Sequence, residues 1–306
     1  MENGGIAKGK EVLPLYKSQE KKAHLAKLRC CDYHATFHSW KNIWKLGGNE
    51  MINESAVFWS RALTELTLSF HIIYATIGVG VPLMIMIAQW TGYKKNDEHY
   101  ILMARRWARG FVITVAVGVV TGTAIGLQLS LLWPNFMQLA GQTIALPLFM
   151  ETFAFFFEAI FLGIYLYTWD RFDSQKKHML LLIPVAVGAS MSAVFITIVN
   201  AFMNAPQGFD IVDGQLVNIQ PFLAMFNPAM PTKVAHVLVT AYMTSAFVLA
   251  AIAGYRMLRG SKHVYHKKSL LLLMKIGLIF FYCSRNYRRF FRKVLSRISA
   301  RKIGGS

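Results

Sequence analysis

Acidic residues are scarce in this chain: 15 Asp and Glu stand against 33 Lys and Arg, and charged residues of both signs make up only 16% of its 306 positions. A soluble domain carries about 25% charged residues, so an ordinary solvated surface is excluded over most of the length. Cysteine is nearly missing as well. Cys30 and Cys31 are adjacent and Cys283 stands alone near the end, which leaves no spacing for a disulfide framework. Cys30, Cys31, His34 and His38 are the nearest approach to a zinc set. Without the usual C-x2-C pairing, that stretch is expected to be an unstructured tail.

Apolar residues fill the remainder, at 55% of the chain. An apolar run of about 20 residues spans a bilayer core of roughly 30 Å. Such runs fall near 57–90, 108–132, 147–168, 178–201 and 234–257. A sixth, Ser269–Cys283, is only 15 residues long and contains Lys275. The expected fold is therefore an all-α integral membrane protein, with five complete transmembrane helices and a sixth partial one. The hydrophobicity of the first span is expected to direct its own insertion into the membrane.

The net charge of +18 could suggest a nucleic-acid partner, but the cations sit in short loops and tails. Loops 91–109, 169–178 and 256–268 hold thirteen Lys and Arg residues, whereas 133–146 and 202–233 hold only Lys233. By the positive-inside bias the first three loops are cytoplasmic and the bundle begins outside. Trp59, Trp90, Trp107, Trp133 and Trp169 all fall at span ends, as an interfacial aromatic belt requires.

Both ends depart from this pattern. Residues 1–50 are polar, aperiodic and carry nine Lys and Arg residues, and Met51 reads as a better chain start. After Tyr282 come eight cations and no acid. The expected division is a basic extension over 1–50, a transmembrane bundle over 51–281, and a discordant basic tail over 282–306.

Ionisable residues inside the spans cost ~2.5–3.5 kcal/mol each at a helix centre, so they persist where they are paired, ligated or functional. Four stand out: His71 in the first span, Glu151 and Glu158 in the third, and His236 in the fifth. A single intramembrane histidine can be a core residue satisfied by a neighbouring hydroxyl or carbonyl. Two on different helices suit a cofactor site, since neutral imidazole is a standard axial ligand of haem iron. Glu151 and Glu158 are two helical turns apart, which puts their carboxyls on one face about 10 Å apart in depth. Unpaired, the two would cost ~5–7 kcal/mol together, and a carboxyl ladder through an apolar helix is what a proton relay needs. Gly118, Gly122 and Gly126 form a small-residue face that admits either a neighbouring helix or a flat macrocycle. Gly78, Gly80 and Pro82 are expected to loosen or kink the first span.

At these residues the chain resembles subunit I of the cytochrome bd quinol oxidases. The likeness runs from about Met51 to Phe281 and is carried by SRALTE, ARRWARGF, TGTAIGLQLSLLW, PLFMETFAFFFE, YTWDRF, VNAFMNAP and the His236 segment, in order. The resemblance implies an iron-containing respiratory oxidase with low-spin haem b, high-spin haem b and haem d. It implies His71 as ligand of a high-spin haem and His236 as ligand of the low-spin haem. Glu151 would stand at the oxygen site and Glu158 on the proton route to it. Quinol, oxygen and a second membrane subunit are the implied partners. The alternative readings are a non-catalytic truncated fragment of that subunit, or a transporter with His and Glu lining its path. Family members continue with a hydrophilic quinol-binding loop and three further spans, which supply a methionine ligand and another glutamate; no residue here is assigned to them. The tail is expected to be a frameshift product. Read one base later, its back-translation permits TAAAIIGDFSGK and a segment like EYQPERLA, which resemble the end of the sixth span and the start of the quinol loop.

Overall fold

The computed structural model describes residues 54–303 apart from 173, 213 and 214. The expectations for residues 1–50, including Cys30, Cys31, His34 and His38, and for a start at Met51 lie outside the described residues. In chain order the elements are α1 (Glu54–Lys95), α2 (Glu98–Leu132), α3 (Pro134–Tyr167), α4 (Gln175–Leu180) and α5 (Leu182–Asn204). There follow strands β1 (Asp210–Val212) and β2 (Gln215–Val217), then α6 (Pro221–Met225), α7 (Met230–Leu258) and α8 (Val264–Ile303). Among the described residues five segments are long and apolar enough to cross a membrane: Ser55–Lys95, Glu98–Leu132, Ala140–Tyr167, Lys176–Asn204 and Met230–Leu258. They correspond one to one with the expected spans. The short antiparallel β1–β2 pair lies in the cation-poor loop between the fourth and fifth spans.

The third span differs from expectation. Residues 134–146, read as loop, are helical, and Pro147 lies inside α3 rather than at its start. Pro134 occupies the beginning of the helix, where the missing proline N–H has no intrahelical partner to lose. Helical geometry thus continues past the apolar stretch that marks the membrane core. In α8 the helix runs through Tyr282 without interruption, so secondary structure draws no boundary at the expected division there. Residues 54–289 belong to one compact unit.

α1 packs on α2, α5 and α7. Pro82 lies within α1, which stays helical from Glu54 to Lys95. Gly80 does not loosen the helix but lets α7 approach: a Cβ there would stand 2.2 Å from Ser245 Oγ and 2.8 Å from the Ala241 carbonyl. Ser245, fully buried, donates toward the Thr76 and Ile77 carbonyls at 3.2 and 3.3 Å. It serves the turn just before Pro82, where the ladder loses a donor. Between α3 and α5, Gly188 does similar work, since a Cβ there would sit 2.9 Å from the Ala154 carbonyl and 3.0 Å from Glu158 Cβ. The outward faces of α2 and α3 carry Ile113, Val120, Leu131, Phe149, Phe153 and Phe156, all exposed. In hydrocarbon such a surface carries no hydration penalty.

Polar groups close the Lys- and Arg-rich end. Tyr165 Oη donates to Gln89 Oε1 at 2.8 Å, Gln89 Nε2 donates to His178 Nδ1 at 3.2 Å, and His178 Nε2 donates to the Tyr165 carbonyl at 2.8 Å. All three residues are buried, and the Tyr165 and His178 rings stack with centroids 4.3 Å apart. The closed circuit ties α1, α3 and α4 together. Replacing one member leaves the others unsatisfied, which costs about 1–3 kcal/mol. Gln89→Leu and His178→Ala are each expected to lower stability by that amount. The double variant should lose less than the sum, as measured by thermal unfolding in detergent.

At the α1–α2 corner, Asn96 adopts a positive φ, which asparagine tolerates well. Asp97 then caps α2, accepting from the His99 amide at 3.1 Å, and also accepts from Lys268 Nζ of α8. The Lys268 hydrogen bond, foremost among several causes, holds the Asp97 carboxyl below the usual aspartate range. A depressed carboxylate stabilises the fold above its unfolded pKa and loses that contribution as pH falls through its folded pKa. Asp97→Ala should therefore cost about 0.5–2 kcal/mol at neutral pH. Wild type and variant should converge in melting temperature only on acidification below the ordinary aspartate range.

Candidate functional site

Three rungs join the antiparallel helices α1 and α2. Trp133 Nε1 donates to Thr64 Oγ1 at 3.2 Å, Gln128 Nε2 donates to Thr67 Oγ1 at 2.9 Å, and His71 Nδ1 lies 2.8 Å from Thr121 Oγ1. Thr64, Thr67 and His71 follow the three- and four-residue spacing of one helical face. The apolar spans tolerate these groups because each finds a partner on the other helix. Gln128 Oε1 is buried without a hydrogen-bond partner among the described residues; its rung lies one turn from His71.

His71 is half-buried. Its Nδ1 is held by Thr121, and among the described residues Nε2 has no hydrogen-bond partner. The ring lies against Gly122, where a Cβ would stand 3.3 Å from His71 Cε1. At Gly118 and Gly126, one turn to either side, a Cβ would meet nothing within 4 Å. Helix packing thus accounts for Gly122 alone, and the glycine face stays open above and below the imidazole. A ring nitrogen bare of protein partners among the described residues could ligate the iron of a planar macrocycle.

Glu151 and Glu158 share a face of α3, and that face meets α5. Glu151 Oε1 accepts from Ser192 Oγ at 2.9 Å. Glu158 is 5% exposed and packs against Gly188, one turn from Ser192 on α5. Its carboxyl has no hydrogen-bond partner among the described residues. Counted along α3, Glu158 is nearer than Glu151 to the basic end, and the buried Tyr165 lies two turns further in the same direction.

His236 stands apart. It lies in the second turn of α7, because that helix starts at Met230, rather than within the first turn as the span boundary implied. Its side chain is exposed, and no hydrogen bond links it to His71, Glu151 or Glu158 among the described residues. No group of three or more His, Cys, Asp and Glu side chains gathers among the described residues. Thr121, Ser192 and Gln128 are partners that the sequence reading passed over. The available signal was polar side chains inside spans otherwise nearly free of them.

The model of the family "Cytochrome bd terminal oxidase subunit I" matches residues 59–285. A Bacillus subtilis (strain 168) chain described as a cytochrome bd menaquinol oxidase subunit I is 44% identical over 225 residues, covering 72% of this chain and 51% of that one. The cytochrome bd ubiquinol oxidase subunit 1 of the same organism is 33% identical over 214 residues, 69% of this chain and 45% of the relative. Among solved structures, the bd oxidase from Geobacillus thermodenitrificans is 75% identical with a TM-score of 0.74, over 76% of this chain and 54% of that one. The chain spans about half the length of the relatives it matches. The match takes in all five membrane-crossing helices with His71, Glu151, Glu158 and His236, and by it the chain belongs to the cytochrome bd terminal oxidase subunit I family.

Proposed function

We propose that this chain is the haem-binding portion of a terminal oxidase subunit that passes electrons from quinol to oxygen, forming water and a proton gradient. The observation that carries this reading is the His71 ring, anchored through Nδ1 to α2 with Nε2 unpartnered among the described residues. In the assembled oxidase the haem set, low-spin and high-spin haem b with haem d, would supply electron storage and oxygen binding. His71 holds a high-spin haem through Nε2. His236, exposed on α7, holds the low-spin haem near the cation-poor face. Glu158 takes protons from the basic side and hands them to Glu151, whose carboxyl Ser192 orients. Quinol oxidation at one face and proton uptake from the other then charge the membrane without a pump. The second membrane subunit covers part of the exposed apolar surface.

An absorption spectrum of membranes holding the assembled oxidase tests this reading, which predicts a haem d band; its absence would contradict it.

Tests of individual residues belong in an oxidase carrying this segment within a full-length subunit I. His71→Ala should remove high-spin haem while the protein still inserts, and unchanged haem content would sink the ligand assignment. Glu158→Gln should lower oxygen consumption by roughly 100-fold, the lower end of what a positioned proton-transfer group contributes. Glu158→Asp should keep more, because it retains a titrating group. Full activity in Glu158→Gln would make that carboxyl structural only.

A further inference from the structure

A threonine hydroxyl has a single proton and two lone pairs. In the α1–α2 ladder each threonine lies within hydrogen-bond reach of a backbone carbonyl one turn back on its own helix and of a side-chain nitrogen across the gap. Thr64 Oγ1 is 2.8 Å from the Ser60 carbonyl and 3.2 Å from Trp133 Nε1. An indole nitrogen only donates, so here the hydroxyl proton goes to the carbonyl and the oxygen accepts across the helices. Thr67 repeats the arrangement, 2.9 Å from the Leu63 carbonyl and 2.9 Å from Gln128 Nε2.

Thr121 presents the same geometry from the opposite helix. Its Oγ1 lies 2.7 Å from the Val117 carbonyl and 3.2 Å from that of Gly118, and 2.8 Å from His71 Nδ1. A carbonyl has no proton to give. If His71 carried its proton on Nε2, the hydroxyl could satisfy either the Val117 carbonyl or Nδ1. The contact left over would then set two lone pairs against each other at under 3 Å. With the proton on Nδ1, both contacts are hydrogen bonds.

We infer that Thr121 is the positioning residue that fixes His71 in its Nδ1–H tautomer, so that the Nε2 lone pair is directed away from α2 and available to iron. The inference rests on the reading of His71 as a haem ligand and adds what sets its donor atom and donor strength. An N–H held by an acceptor makes the imidazole a stronger donor, and such partners fix both tautomer and ring orientation. Gly122 completes the seat, because a Cβ there would press on Cε1 at 3.3 Å and rotate the ring off the hydroxyl. The Thr67 rung, one turn away on the same face of α1, limits rotation of the two helices about each other.

The test is resonance Raman spectroscopy of the assembled, reduced oxidase with wild-type Thr121, Thr121→Val, Thr121→Ala and Thr121→Ser, alongside His71→Ala. Removing the acceptor in Thr121→Val should move the iron–imidazole stretching band of the high-spin haem to lower frequency. It should also raise that haem's midpoint potential and speed its loss on warming about tenfold, the lower range for lost outer-shell partners. The low-spin haem spectrum should not change. Thr121→Ser, which keeps the hydroxyl, should restore the wild-type band. Thr121→Ala decides the matter if the valine variant does not assemble. An unchanged band in the hydroxyl-free variants, with the band still lost in His71→Ala, overturns the role of Thr121 and leaves the ligand reading standing. A band that survives His71→Ala overturns both.

Discussion

Between α1 and α2 with its C-cap Trp133, three pairs of side chains meet through threonine hydroxyls, and the rest of the arrangement depends on how those few protons are shared. In hydrocarbon no water is available to settle a mismatch, so each rung must pair one donor with one acceptor. The two rungs whose direction is set by an indole and an amide show the hydroxyl bonded back to its own helix and accepting across the gap. The third rung carries the imidazole, and the same rule fixes which of its nitrogens is left bare. On the proposed reading, the pairing that satisfies this polar seam is also what leaves one imidazole nitrogen available to iron.

Close helix approach provides the frame that keeps such rungs in register. Gly80 and Ser245 bring α1 and α7 together, and Gly188 brings α5 against the Glu158 segment of α3. These contacts press the polar faces inward while exposed phenylalanines of α3 and aliphatics of α2 turn outward. Where helices touch so closely, a carboxyl such as Glu158 is shielded by packing alone, and it stays without a hydrogen-bond partner among the described residues. Glu151, one step along the same face, is held by Ser192. The two carboxyls therefore differ in environment although they share a helix and a face.

Much of this was legible beforehand. Apolar run lengths marked the five crossing helices, and the cost of ionisable groups in hydrocarbon singled out His71, Glu151 and Glu158. The shared face of the two glutamates followed from helical geometry and is borne out by their meeting Gly188 and Ser192 of one helix. Less legible was the start of α3, because proline is read as a boundary while a helix both begins at Pro134 and passes through Pro147. The function of the glycines was hidden too. Spacing alone cannot tell Gly122, which seats a ring, from Gly118 and Gly126, whose missing Cβ atoms meet nothing. Partners such as Thr121 and Ser192 are set by which helices face each other, and hydropathy says nothing of that.

The central claim is that a nitrogen of His71 faces iron. It is tested most directly by magnetic resonance on the assembled oxidase, with nitrogen-15 introduced only at histidine. Hyperfine coupling from a single histidine nitrogen to a high-spin iron, with the neighbouring ring nitrogen showing an exchangeable proton, is the expected result. A high-spin signal of full intensity with no histidine-nitrogen coupling would contradict it.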